Sequence, residues 1–107
     1  MQTQSDKLER DGKVAVVYSP GYGAGWSTWS NDVDPTDKDI AEAVDKAVTK
    51  EDLIALANKK YPKAYTGGLK YDGVSIAWVP KGTRYYIEEY DGNEQVHILD
   101  NNFGSIA

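Results

Sequence analysis

The 107-residue chain sets 12 Lys and Arg against 17 Asp and Glu, a formal charge of −5, and has one histidine and no cysteine. That length leaves room for one hydrophobic core. The missing cysteines exclude a disulfide framework, a thiolate metal site and a cysteine nucleophile. The acidic balance argues against duplex nucleic acid as a partner, because counterion release needs many cationic contacts to phosphate. A small anion stays compatible, since a few backbone N–H groups and one arginine can outweigh net charge locally.

Residues 1–12 are polar and end in Asp11-Gly12, so they read as an arm preceding a single domain over 13–107. The segment KVAVVYS (Lys13 to Ser19) is rich in β-branched residues with apolar side chains on both faces, which suits a buried strand ended by Pro20-Gly21. From Gly21 to Asp34 there is no periodicity: three glycines, two tryptophans and a Ser/Thr/Asn/Asp cluster read as a long ordered loop or a broken strand. A helix starts at Thr36 or Asp37, with Ile40, Val44, Ala47 and Val48 as its apolar stripe. The acidic run Asp32, Asp34, Asp37 and Asp39 lacks the glycine and closing glutamate of a calcium loop and reads as a solvated, helix-capping cluster. Thr49 is the expected cap of a second helix that runs to about Tyr61, with Leu53, Leu56, Ala57 and Tyr61 inward.

The remainder reads as a β-meander. VSIAWV (Val74 to Val79) turns through Pro80-Lys81-Gly82 into TRYYIEEY (Thr83 to Tyr90), then through Asp91-Gly92-Asn93-Glu94 into a strand over Gln95 to Leu99. The tail NNFGSIA has weak signals. The expected class is α+β, an antiparallel sheet of about four to five strands with two short helices packed on one side.

Function points first to SPGYGAGWSTW. Glycines at 21, 23 and 25 let backbone approach a ligand closely, successive N–H groups there can form an anion nest, and Ser27, Thr28, Tyr22, Trp26 and Trp29 add hydroxyls and stacking faces. Ligand contacts are therefore expected from Gly23, Ala24, Gly25, Trp26, Ser27, Thr28 and Trp29. The segment has neither the Gly-Lys-Ser/Thr of a Walker loop nor the spacing of a dinucleotide fingerprint. Taken singly, each tryptophan is better explained as core, with the glycines shaping a bulge; the segment as a whole favours function. Arg84 is the second candidate, as a phosphate partner or as half of an ion pair with Glu88 or Glu89, and Tyr86 adds a stacking face. Asn93 could meet a ribose or simply shape its turn. His97 has no visible nucleophile or base beside it, and Glu88 and Glu89 point to opposite strand faces, so the reading is non-enzymatic, with no metal and no cofactor.

Two segments, SPGYGAGWSTW and WVPKGTRYYIEEYDGNEQV, resemble a group of small bacteriophage and prophage proteins, and more specifically the anti-defence sponges that counter Thoeris immunity. The resemblance implies sequestration without turnover of a cyclic ADP-ribose isomer or cyclic oligonucleotide, in pockets at the boundaries of a homo-oligomer. It also implies residence in the host cytoplasm during infection, which agrees with the lack of any apolar stretch suited to a signal peptide or a membrane span. The resemblance carries over the two motifs and no individual residue; within them Trp26, Trp29, Arg84, Tyr86 and Asn93 are the expected ligand contacts. The alternative is an acidic phage inhibitor that binds a host protein directly.

Overall fold

The computed structural model describes residues 7–21, 25–30, 33–70, 73–99 and 105–107. Its strands are β1 (Glu9–Arg10), β2 (Lys13–Tyr18), β3 (Ser75–Pro80), β4 (Arg84–Tyr90), β5 (Asn93–Leu99) and β6 (Ser105–Ile106). The helices are α1 (Lys38–Asp45), α2 (Lys50–Lys60) and the single turn α3 (Gly67–Lys70), and Ser27–Trp29 forms a 3-10 turn. The class is α+β, and its antiparallel strands divide between two three-stranded sheets, ordered β1-β2-β3 and β5-β4-β6.

The division follows from β2. Its two apolar faces need two partners, and each finds one. Ala15 and Val17 join Trp26, Val33, Ile40, Ala41, Leu53, Ala57 and Leu69 in a core beneath the helices. Val14 and Val16 turn the other way, onto Val79, Tyr85 and Ala107, with Ile87 and Val96 packed against them. The result is three layers: helices, a middle sheet and an outer sheet. Burial of its surroundings lifts the Tyr85 hydroxyl to about 12, with nearby Asp34 adding to the effect.

Both hairpin turns are Asp-Gly. Asp11 and Gly12 have φ of 54° and 77°, and Asp91 and Gly92 have φ of 53° and 86°, the pair of positive values that a two-residue type I′ turn requires. The first turn makes residues 7–12 part of the domain's edge rather than a detached arm: Ala15 N–H donates to Leu8 O at 2.9 Å, and the Arg10 guanidinium sits 4.8 Å above the Trp78 ring while pairing with Asp45 at 2.7 Å. The second turn uses two residues where four were expected, so Asn93 and Glu94 belong to β5. Ala107 closes the outer sheet by bonding Thr83 and Gly82, giving the tail a strand that its composition did not announce.

The helix caps follow the sequence. Asp37 Oδ1 accepts from Ile40 N–H and Thr49 Oγ1 from Asp52 N–H, both at 3.1 Å. The first helix is shorter than its apolar stripe: Ala47 takes a φ of 56°, a left-handed conformation that ends the helix, and Val48 is left exposed. Asp37 is buried rather than solvated. Its Oδ2 accepts from Tyr61 Oη at 2.6 Å and faces Lys60 Nζ at 3.0 Å.

Burial alone would raise the Asp37 carboxyl, but the bonds from Tyr61, Ile40 and Lys60 outweigh it and hold the pKa below the ordinary 3.8. A depressed carboxylate stabilises the fold above its unfolded pKa, and that contribution is lost as pH falls through the folded value. Asp37→Asn should therefore cost about 2 kcal/mol near neutral pH. In urea titrations the gap between wild type and variant should shrink below about pH 4; a gap that does not change with pH would show that the charge contributes nothing.

Candidate functional site

The glycine- and tryptophan-rich loop leaves the end of β2 and meets the turn end of the β4–β5 hairpin. Glu94 makes the join. Because the Asp-Gly turn is only two residues long, the register pairs Glu89 with Glu94 and Ile87 with Val96, which sends Glu94 to the inner face with Val96. There the Glu94 side chain has no accessible surface. A buried carboxylate without partners would be prohibitively costly, and the loop supplies them. Oε1 accepts from Ser19 N–H at 2.8 Å, and Oε2 from Trp26 N–H at 2.7 Å, Thr28 N–H at 3.0 Å and Thr28 Oγ1 at 2.6 Å. Glu94 N–H in turn donates to Ser19 O at 2.7 Å, and Asn93 Nδ2 donates to Pro20 O.

The described part of this loop holds an anion through the N–H groups of Ser19, Trp26 and Thr28 rather than of the glycines, and the chain's own carboxylate fills that nest. Gly25 is required by this packing. A Cβ there would lie 2.7 Å from Trp29 Cδ1, 2.8 Å from Thr28 Oγ1 and 2.9 Å from Glu94 Oε2.

The two tryptophans separate in role. Trp26 is fully buried, edge-on to Tyr61 with ring centroids 6.3 Å apart, so it is core and presents no face to a ligand. Its Nε1 has no hydrogen-bond partner among the described residues. Trp29 is 41% exposed and is held at three points. Its Nε1 donates to Glu89 Oε2 at 3.0 Å, its ring stacks on Tyr65 at 5.6 Å and 20°, and Gly25 lies beneath its edge. Glu89 is itself anchored by Gly92 N–H at 2.8 Å; that bond first, then the indole N–H, lowers the carboxyl's pKa. Tyr65 is fixed through its N–H, which donates to Ser30 Oγ at 3.0 Å.

Arg84 does not come to this loop. It sits on the opposite face of β4 from Glu89, five residues and roughly 17 Å along the strand, and among the described residues its guanidinium forms no ion pair, with Glu88 or Glu89 included. Tyr86 shares the outer face with Arg84 and stacks on His97 at 5.0 Å, while His97 Nε2 lies 2.8 Å from Glu88 Oε1. Ser27 and Thr28 form the 3-10 turn, the Thr28 hydroxyl being spent on Glu94. Gly23 and Ala24 lie outside the described residues. The expected ligand set therefore splits into a loop cluster around Trp29 and a strand face around Tyr86.

The residues that composition and motif overlooked are Glu94, Glu89 and Tyr65. Glu94 was accessible from the sequence, since a two-residue Asp-Gly turn fixes the register and places it inward. Tyr65 carried no local signal. No helix among the described residues is long and apolar enough to cross a membrane, and no cluster of three metal-ligating side chains occurs among them.

Glu94→Gln tests the latch. Whichever oxygen the amide NH2 replaces, it would face N–H donors, so the substitution should cost about 2 kcal/mol or more. Chemical denaturation should show this, together with a shift in tryptophan fluorescence as the loop loosens. An unchanged midpoint would mean that the loop holds itself. No protein-family model matches the chain, no curated protein matches it, and no solved structure matches it.

Proposed function

We propose that this chain is a non-enzymatic binding protein that sequesters a nucleotide-type signal, a cyclic ADP-ribose isomer or a cyclic oligonucleotide, in the manner of the phage anti-defence sponges its motifs resemble. The observation that carries the reading is Trp29, a half-exposed indole whose plane is fixed by Glu89, Tyr65 and Gly25. A preset aromatic face takes a base without the entropy cost of ordering a mobile side chain, and such a stack contributes about 1–3 kcal/mol per base. Holding rather than turnover fits the carboxylates around it: Glu94 and Glu89 are committed to protein donors. Phosphate charge would have to be met by a cation from elsewhere, and Arg84 of a second copy in a homo-oligomer meets that need.

Titration calorimetry with cyclic ADP-ribose isomers and cyclic dinucleotides, followed by heat release and mass analysis, tests the reading. Saturable binding and intact recovery are expected, with Trp29→Ala weakening binding roughly tenfold or more. Degraded ligand, or no binding by any of these compounds, would overturn it.

A second reading, the acidic inhibitor that engages a host protein, is favoured by one observation: Glu94 already occupies the N–H cluster that a phosphate would use. It predicts a stoichiometric protein partner in a host-lysate pull-down, lost in Trp29→Ala.

A further inference from the structure

The outer face of the β4–β5 hairpin carries a hollow of about 220 Å³ lined by Glu88, Tyr90, Asn93 and Gln95. These are two cross-strand pairs, Tyr90 opposite Asn93 and Glu88 opposite Gln95. The hydrogen-bond polarity of the hollow leans toward acceptors. Asn93 Nδ2 donates to Pro20 O, and Gln95 Nε2 donates to Asn93 Oδ1 at 3.2 Å, so each side-chain amide commits one of its two N–H donors to a protein oxygen. Glu88 uses Oε1 toward His97 and keeps Oε2. What predominates in the hollow is a carboxylate oxygen, the Gln95 carbonyl oxygen and the π-face of Tyr90, all of which attract positive charge.

Among the described residues no Lys or Arg lines it. Arg84 shares this face, but it lies four residues from Glu88, roughly 13 Å along the strand. Asp91 in the adjoining turn and a chain charge of −5 deepen the negative potential there. A carboxylate beside an open tyrosine ring suits a planar cation, which can pair along its edge and stack on its face; an ammonium can do only the first well.

We propose that this hollow binds a guanidinium group, presented as an arginine side chain on the surface of a basic partner protein. A protein is the fitting source because the hollow is shallow and Tyr90 is 76% exposed. It grips the tip of a side chain only, so useful affinity has to come from surrounding surface, which a free metabolite lacks. The site is separate from the Trp29 platform and does not depend on what that platform holds.

The test is an NMR titration of the full-length 15N-labelled protein with three probes: a blocked Gly-Arg-Gly peptide embedded in a basic nonapeptide, the same nonapeptide with citrulline for arginine, and free arginine. Saturable shifts are expected at the amides of Glu88, Tyr90, Asn93 and Gln95 with the arginine peptide, and binding roughly tenfold weaker with the citrulline peptide and with free arginine. Glu88→Gln and Tyr90→Ala, both at exposed positions, should each weaken the arginine peptide several-fold while leaving the thermal midpoint in place. Equal binding of the citrulline peptide, equal binding of free arginine, or full affinity in both variants would each overturn the proposal. So would shifts confined to residues around Trp29.

Discussion

A single buried carboxylate organises the end of this molecule where the glycine- and tryptophan-rich loop meets the β4–β5 hairpin. Glu94 reaches the interior because a two-residue turn gives it an inward register, and it is tolerable there because four donors from one loop converge on it. The dependence runs both ways. Without Glu94 the N–H groups of Trp26 and Thr28 would lose their acceptor; without the loop Glu94 would be an unsatisfied charge beside Val96. Such mutual satisfaction fixes Ser19, Trp26 and Thr28 against the hairpin.

The same contact accounts for the neighbouring pair of like charges. Glu89 stands directly opposite Glu94 on β4 and β5, an arrangement that is unfavourable by itself. The loop resolves it by supplying donors to each: backbone groups and the Thr28 hydroxyl to Glu94, and the Trp29 indole to Glu89. Orientation of Trp29 is thus a by-product of supplying donors to an acidic pair, and the indole plane is tied to the hairpin.

Much of the architecture was legible before any coordinates. The two-faced apolar pattern of β2, the caps at Asp37 and Thr49 and the inward face of α2 all follow from local chemistry, whereas the expected antiparallel return of β4 on β3 is overturned: β3 pairs with β2, and β4 with β5 and β6 in the other sheet. The splitting of the strands into two sheets was implicit in β2, since a strand apolar on both faces needs cover on both sides, but which elements provide each cover is a tertiary choice that periodicity does not encode. The candidate site was legible in part. Glycines and hydroxyls drew attention to the loop, but its donors come from Ser19, Trp26 and Thr28, and the anion they hold is a glutamate 66 residues beyond Thr28. Arg84 was singled out for its aromatic neighbours, which strand alternation in fact divides between two faces.

The filled nest changes what counts as a vacancy on this surface. A loop rich in glycine and tryptophan invites the inference that its N–H groups await a ligand, yet a carboxylate presented by the same chain is always at high effective concentration and outcompetes a free anion of similar chemistry. A ligand can therefore be recruited only by features that the latch leaves over. These are of two kinds: aromatic faces held in fixed orientation at Trp29 and Tyr86, and acceptor oxygens at Glu88 Oε2 and the Gln95 carbonyl that meet no donor among the described residues. The first kind favours planar rings and the second favours cations, so the hairpin end of the molecule is physically better prepared to receive a base or a guanidinium than a bare phosphate.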